Sequence, residues 1–132
     1  STLISRHIKE RRGKLSAYCG VVSAAAGAIA GVGFINGDSK EVLEGTISNA
    51  LATNSGMICD GAKPSCALKV TTGVSTAVLS AVMAMENRCV TSVEGIIDED
   101  VDQSIRNLTR IGSQGMNETD RVVLDIMTHK GC

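Results

Sequence analysis

At 132 residues the chain is one domain, or part of one, with length enough for a single hydrophobic core. Thirteen Lys and Arg against fourteen Asp and Glu leave a formal charge of −1, and the only aromatic residues are Tyr18 and Phe34. This excludes a basic footprint for nucleic acid, base-stacking platforms and a Trp-anchored interface.

The chain opens at Ser1 inside a helical pattern and reads as a portion of a longer protein. Leu3, Ile4, His7, Ile8 and Leu15 recur near helical spacing over residues 3–14. Arg6, Lys9, Arg11, Arg12 and Lys14 between them form a solvated face. His7 has no partner within sequence reach and is given no role. Ala17 to Ile35 is uncharged and carries Gly27-x-x-x-Gly31, a pattern of packed membrane helices. Most of it is Ala, Gly and Ser, weakly hydrophobic residues that also suit a helix pressed by protein neighbours, so it is read as soluble. Asn36-Gly37-Asp38 is a turn, with Asp38 capping the next helix and Glu41 completing the pair. Val42, Leu43, Ile47, Ala50 and Leu51 give that helix its buried face, and Asn54-Ser55-Gly56 ends it.

From about residue 65 to 87 the pattern is apolar nearly all round, with no charge after Lys69 until Glu86. It predicts a central helix covered by the others. Its threonines and serines can bond back to the helix, and Met83 and Met85 are core filler. Val90 to Ile97 is a connection with room for a short extended piece. Asp98 is placed as the cap of a helix running through Ile111, with Glu99 and Asp100 at its positive end. Gly112 to Gly115 breaks it. Asn117 caps a last helix over residues 118–129, buried through Val122, Val123, Ile126 and Met127. Strand-like alternation is nearly absent. The expectation is one all-α domain over residues 1–132, a bundle of about five to six helices around the 65–87 helix.

Five cysteines, Cys19, Cys59, Cys66, Cys89 and Cys132, make an odd number. Reduced thiols in the cytoplasm, some of them metal ligands, fit this better than a secreted disulfide scaffold. Cys59 and Cys66 flank a loop of turn formers, Asp60, Gly61, Lys63, Pro64 and Ser65. Pro64 suits the first turn of a helix. Cys66 then stands where unsatisfied N–H groups and the helix dipole favour anions. Cys19 also precedes a helix, whereas Cys89 ends one and is read as a semi-buried thiol. A C-x6-C spacing matches none of the tight zinc patterns. Three thiolates with an open fourth position suit a substrate-binding [4Fe–4S] cluster.

The segment from Met57 through Cys59 and Cys66 to Lys69 resembles the signature of the L-cysteine desulfidase branch of the iron–sulfur L-serine dehydratase α-chain family. Ser16-Ala-Tyr-Cys19-Gly20, with its Ala/Gly-rich helix, is similar to the site of that family's first cluster cysteine. One distant ligand followed by a close pair is the family's order. The seven-residue second separation is shorter than in the serine dehydratases proper, which favours the desulfidase-like branch. The resemblance covers essentially the whole chain, as the C-terminal portion of a longer α-chain.

What it implies is β-elimination on L-cysteine, or on L-serine as the alternative, without pyridoxal phosphate. Cys19, Cys59 and Cys66 would ligate the oxygen-labile [4Fe–4S] cluster. The open iron would act as a Lewis acid toward the substrate's carboxylate and leaving group. The products would be pyruvate and ammonia, with sulfide from cysteine. The family's proton-abstracting residue lies in the N-terminal portion, so no catalytic base is assigned and the fragment alone is expected to be inactive. Lys63 and Ser65 position the loop, with a carboxylate contact as the alternative. Cys132 is either a plain tail thiol or, as in some serine dehydratases of the family, an occupant of the vacant iron position. Partners are the amino-acid substrate, the N-terminal portion of the same protein and a second copy in a homodimer, with neither nucleic acid nor membrane. A non-enzymatic helical module binding zinc through Cys59 and Cys66 is the reading from another class.

Overall fold

The first long helix is built mainly of Gly, Ala and Ser, and that composition decides how closely its neighbours approach. The structure, a computed structural model, describes Arg6 and residues 18–130. Among residues 18–130 five α-helices run in order: α1 Gly20–Asn36, α2 Lys40–Asn54, α3 Cys66–Met85, α4 Val101–Arg110 and α5 Asn117–Thr128. A π-helical turn, Ile111–Gly115, joins the last two. Among the described residues there is no strand, only an isolated antiparallel bridge between Tyr18 and Ile58. The fold is all-α, as the patterning predicts. The 3–14 helix and Cys132 fall outside the described residues.

α1, α2 and α3 pack mutually, and α4 lies against α2. α1 turns Val22, Ala25, Ala26, Ala30 and Gly33 inward. At Gly73 of α3 an added Cβ would lie 2.5 Å from Val21 Cγ1 and 3.4 Å from Ala25 Cβ, so α1 and α3 are spaced for a glycine. The core continues through Tyr18, Ile47, Leu51, Ile97, Ile105 and Leu108. Fully buried leucines such as Leu51 and Leu108 contribute about 2 kcal/mol each relative to exposure. Asn49, buried on α2, is a polar joint. Its amide donates to the carbonyls of Ser80 (3.3 Å) and Arg88 (3.0 Å), and its Oδ1 accepts the Val90 N–H at 2.8 Å.

Helix ends fall within a residue or two of the sequence expectation, with different caps. Gly37, at φ +82°, ends α1 in a left-handed cap, and the Gly37 and Asp38 N–H groups donate to Phe34 and Gly33 carbonyls. Ser39, not Asp38, caps α2, its Oγ accepting the Val42 N–H at 3.4 Å. The Asp38 carboxylate is turned back over Gly33, where a Cβ would meet it at 2.6 Å. α4 begins at Val101 rather than after Asp98. Asp98 accepts the Asp100 N–H (3.1 Å), and Asp100, the real cap, accepts that of Asp102 (2.9 Å). The 90–97 connection consists of turns. Asn117 is the first residue of α5 and supplies no cap.

Two larger differences concern burial. α3 buries only Gly73, Ala77, Ser80 and Ala84, so it is packed on one side rather than covered all round. It is the one described helix long and apolar enough, by length and composition, to cross a membrane. α5 has no fully buried residue: Val122, Leu124 and Ile126 are exposed, and Val123 and Met127 are half-buried. α3 and α5 therefore turn apolar side chains outward that the periodicity places inside.

Candidate functional site

Two short extended pieces, one before α1 and one after α2, lie side by side and bring distant cysteines together. The Cys19 N–H donates to the Met57 carbonyl at 3.0 Å, beside the Tyr18–Ile58 bridge. Cys19 is buried at the N-cap of α1, and its thiol makes no cap hydrogen bond. Cys59, half-buried, follows Ile58 on the paired segment. Gly61 then turns the chain at φ +94°, a conformation suited to glycine, with Met127 of α5 against it. At Lys63-Pro64-Ser65 the chain tightens, the Cys66 N–H bonding to the Lys63 carbonyl (2.8 Å) and the Ala67 N–H to that of Pro64 (3.1 Å). Pro64 thus lies in the turn before α3, two residues short of its start. Cys66 is the first residue of α3, and its thiol donates to the Gly61 carbonyl at 3.3 Å.

Lys69 ties these pieces together. It lies one turn into α3 from Cys66, and its ammonium donates to the Ile58 carbonyl at 2.9 Å and pairs with the Asp60 carboxylate. The hydrogen bond to Asp60 raises the Lys69 pKa above its ordinary value against the opposing effect of burial. The charge of Asp60 and the proximity of Cys19 and Cys66 act the same way. In return Lys69, then a backbone N–H, hold the Asp60 carboxyl below the usual range. Cys19 and Cys66 thus both lie within electrostatic reach of one ammonium, while Cys59 sits between its two acceptors in the chain. Sequence reasoning missed this residue, taking Lys69 only as the last charge before an apolar run. The available signal was a carboxylate and an ammonium flanking C-x6-C, the ammonium three residues after Cys66 on one helix face.

Cys89 is exposed rather than semi-buried, and its sulfur lies against Gly45 of α2, away from this group. Cys19, Cys59, Cys66 and Cys89 are free thiols. Lys63 and Ser65 are exposed, and the Ser65 side chain makes no cap bond. Asn54, three residues before Met57, is buried with its Nδ2 unpartnered. An open cleft of about 570 Å³ lies elsewhere, lined by Ile96, Asn107, Arg110 and Gln114 among others, with no cysteine.

Among the described residues no three His, Cys, Asp or Glu side chains are grouped so as to hold one metal ion. A mononuclear site of three such ligands therefore does not fit. An iron–sulfur cluster asks something different, thiolates set around a multi-iron body rather than converging on a point. Three cysteines in one corner, beside a helix N-terminus and an ammonium, fit such an anionic body in donor type and charge.

A family model described as the serine dehydratase alpha chain matches residues 1–125. This chain belongs to that family. Within it, a UPF0597 protein of Bacteroides fragilis is 75% identical over 126 residues, covering 96% of this chain and 29% of the relative. One from Phocaeicola vulgatus is 62% identical over the full 132 residues, 31% of its own length. A third, from Finegoldia magna, is 42% identical over 130 residues, 98% of this chain and 31% of the relative. The serine dehydratase alpha segment described here thus spans about three-tenths of the length of the curated relatives it matches. No solved structure matches it.

Proposed function

We propose that this chain is the cluster-holding portion of an iron–sulfur lyase that converts L-cysteine and water to pyruvate, ammonia and hydrogen sulfide. The observation that carries this is the meeting of Cys19 with the Cys59–Cys66 loop around Lys69, two distant segments joined by the Cys19–Met57 hydrogen bond. Family membership and the four free thiols support it, and the thiols also support a reducing, cytoplasmic setting.

Cys19, Cys59 and Cys66 would hold a [4Fe–4S] cluster, which when bound supplies a Lewis acid at an iron free of protein ligands. Cys19 and Cys66 contribute sulfur from two helix starts, so their positions are fixed by the packing of α1 on α3. Cys59 contributes from a loop that Lys69 clamps. The ammonium offsets negative charge gathered there, and the α3 N-terminus, whose first N–H groups are committed to the Lys63, Pro64 and Ser65 carbonyls, adds the positive end of its dipole rather than free donors. The base that removes the Cα proton belongs to the remaining portion of the polypeptide, so the segment alone holds the pocket without turnover. L-Serine as substrate is the second reading, favoured by the family's description.

Anaerobic reconstitution with iron and sulfide tests the assignment. About four irons per chain with broad visible absorbance are expected. Replacing Cys19, Cys59 or Cys66 by Ala should abolish uptake, and Cys89→Ala should leave it unchanged. Stoichiometric zinc without iron uptake would overturn it in favour of a non-enzymatic module. Assaying the longer polypeptide for sulfide from cysteine against ammonia from serine separates the two substrates.

A further inference from the structure

Large apolar side chains are exposed more often than buried here. Seventeen large hydrophobic residues are exposed among those described, against a core whose larger members are Tyr18, Val22, Ile47, Leu51, Ile97, Ile105 and Leu108. The exposed set is concentrated on α3. Val70, Val74, Val78 and Val82 recur at every fourth position, each about half exposed, and form one stripe along it. Beside that stripe α1 presents Ala28, Ile29 and Val32, and the two helices enclose a groove of about 220 Å³ with almost no polar lining. No charge interrupts α3 between Lys69 and Glu86. Soluble monomers rarely expose so continuous an apolar face.

We infer that the α1–α3 face is the seat of the rest of the longer polypeptide, an intramolecular interface that completes the core. The inference rests on the proposal above that this chain is a portion of such a polypeptide. The curated relatives carry roughly seven-tenths of their length outside the matched segment, so a body large enough to cover the face is at hand. A bilayer fits less well. The inner face of α3, at Gly73, Ala77, Ser80 and Ala84, is committed to α1 and α2, and α2 carries Lys40, Glu41 and Glu44, charges that would have to enter the bilayer with it. A helix lying on a membrane carries Lys or Arg along its flank, and the flank of α3 carries Thr71, Thr72, Ser75 and Thr76. The Thr71 and Thr72 hydroxyls bond back to the Ala67 and Leu68 carbonyls, so a protein surface can cover them without stranding a donor. Because α1 and α3 both start at the cysteine corner, a body seated along them ends beside Cys19 and Cys66, where the missing base is needed.

Carbene footprinting of the longer polypeptide tests this, with yields read per residue against Val93, which is 90% exposed on a loop. Val74 and Val78 are 53% and 50% exposed, so an open face would be labelled in that proportion to Val93. Background labelling at Val74, Val78 and Val82 is expected instead, unchanged on dilution and the same with or without iron. Val78→Asp should raise the yield along the stripe to the open proportion with helix content retained by circular dichroism. Val78→Thr, which keeps the shape, should raise it in part and serves if the Asp variant does not fold. Open labelling of the wild type would overturn the inference. So would protection lost on dilution, the mark of a second copy, or gained only with phosphatidylcholine–phosphatidylglycerol vesicles, the mark of lipid. None of these readings depends on iron or activity, so the interface can fail while the cluster assignment stands, and the reverse.

Discussion

Removing the Lys69 ammonium takes the donor from the Ile58 carbonyl and the charged partner from the Asp60 carboxylate, leaving the Cys66 thiol on the Gly61 carbonyl as the side-chain tie described between that part of the loop and α3. Lys69→Met keeps the stem and removes the charge. It should raise the alkylation rate of Cys59 several-fold while the melting temperature stays nearly constant, because an ion pair this exposed to water adds little to global stability. The pH dependence has two edges. Asp60 has a folded pKa below 3.8, so its contribution is complete above that value and is lost as pH falls through the depressed one. Lys69 has a folded pKa above 10.5, so its contribution is complete below that value and disappears as pH rises through the raised one. Backbone amide shifts of residues 58–61 should stay flat between these edges and move at both. Asn49 is the opposite kind of residue, buried and holding three backbone groups of other segments. Asn49→Ala strands two carbonyls and an N–H and should cost about 3 kcal/mol, read as a lower denaturation midpoint with unchanged slope.

At the scale of helices, Gly73 sets the distance between α1 and α3. Gly73→Ala gains about 1 kcal/mol of helix propensity and drives a methyl against Val21 Cγ1. Val21 is β-branched and stiff at χ1, and the overpacking costs about 1–3 kcal/mol, so a net loss is expected. In a double-mutant cycle Val21→Ala should return most of it, and a purely additive pair would show that the helices simply move apart. The helices were legible where sequence punctuation is local. Gly37, Asn54 and the glycines after Ile111 end elements within a residue or two of expectation. Caps were less legible because competing acceptors are chosen by tertiary contact: Asp38 is drawn back over Gly33 and leaves Ser39 to cap. The covering of α3 was misread for a different reason. The lack of charge records which faces avoid water, and it does not record whether the cover is in the same segment.

Across the whole molecule the cysteine corner was half legible. The spacing of Cys59 and Cys66 matched no metal pattern, and it was the family resemblance that joined them with Cys19; the Cys19–Met57 pairing sets the two segments side by side. The clamp by Lys69 and the seating of Met127 on Gly61 were not legible, since both depend on where α3 and α5 lie in space. The corner and the Asn49 joint are held by separate groups. The first uses Lys69, Asp60 and the Ile58 and Met57 carbonyls, the second Ser80, Arg88 and Val90, and no residue serves both. Removing a bound cluster should therefore loosen one and spare the other. A ligand that binds only the folded state stabilises it in proportion to the logarithm of its concentration over Kd, and local opening feels that loss only where the ligand's own contacts close. After chelation of the iron-loaded protein, hydrogen exchange should rise at residues 18–19 and 57–69. The Val90 amide, held by Asn49, should keep its protection. Exchange rising equally at Val90 would mean that the metal holds the three-helix unit as a whole, and the division of the molecule into two independently fastened parts would be wrong.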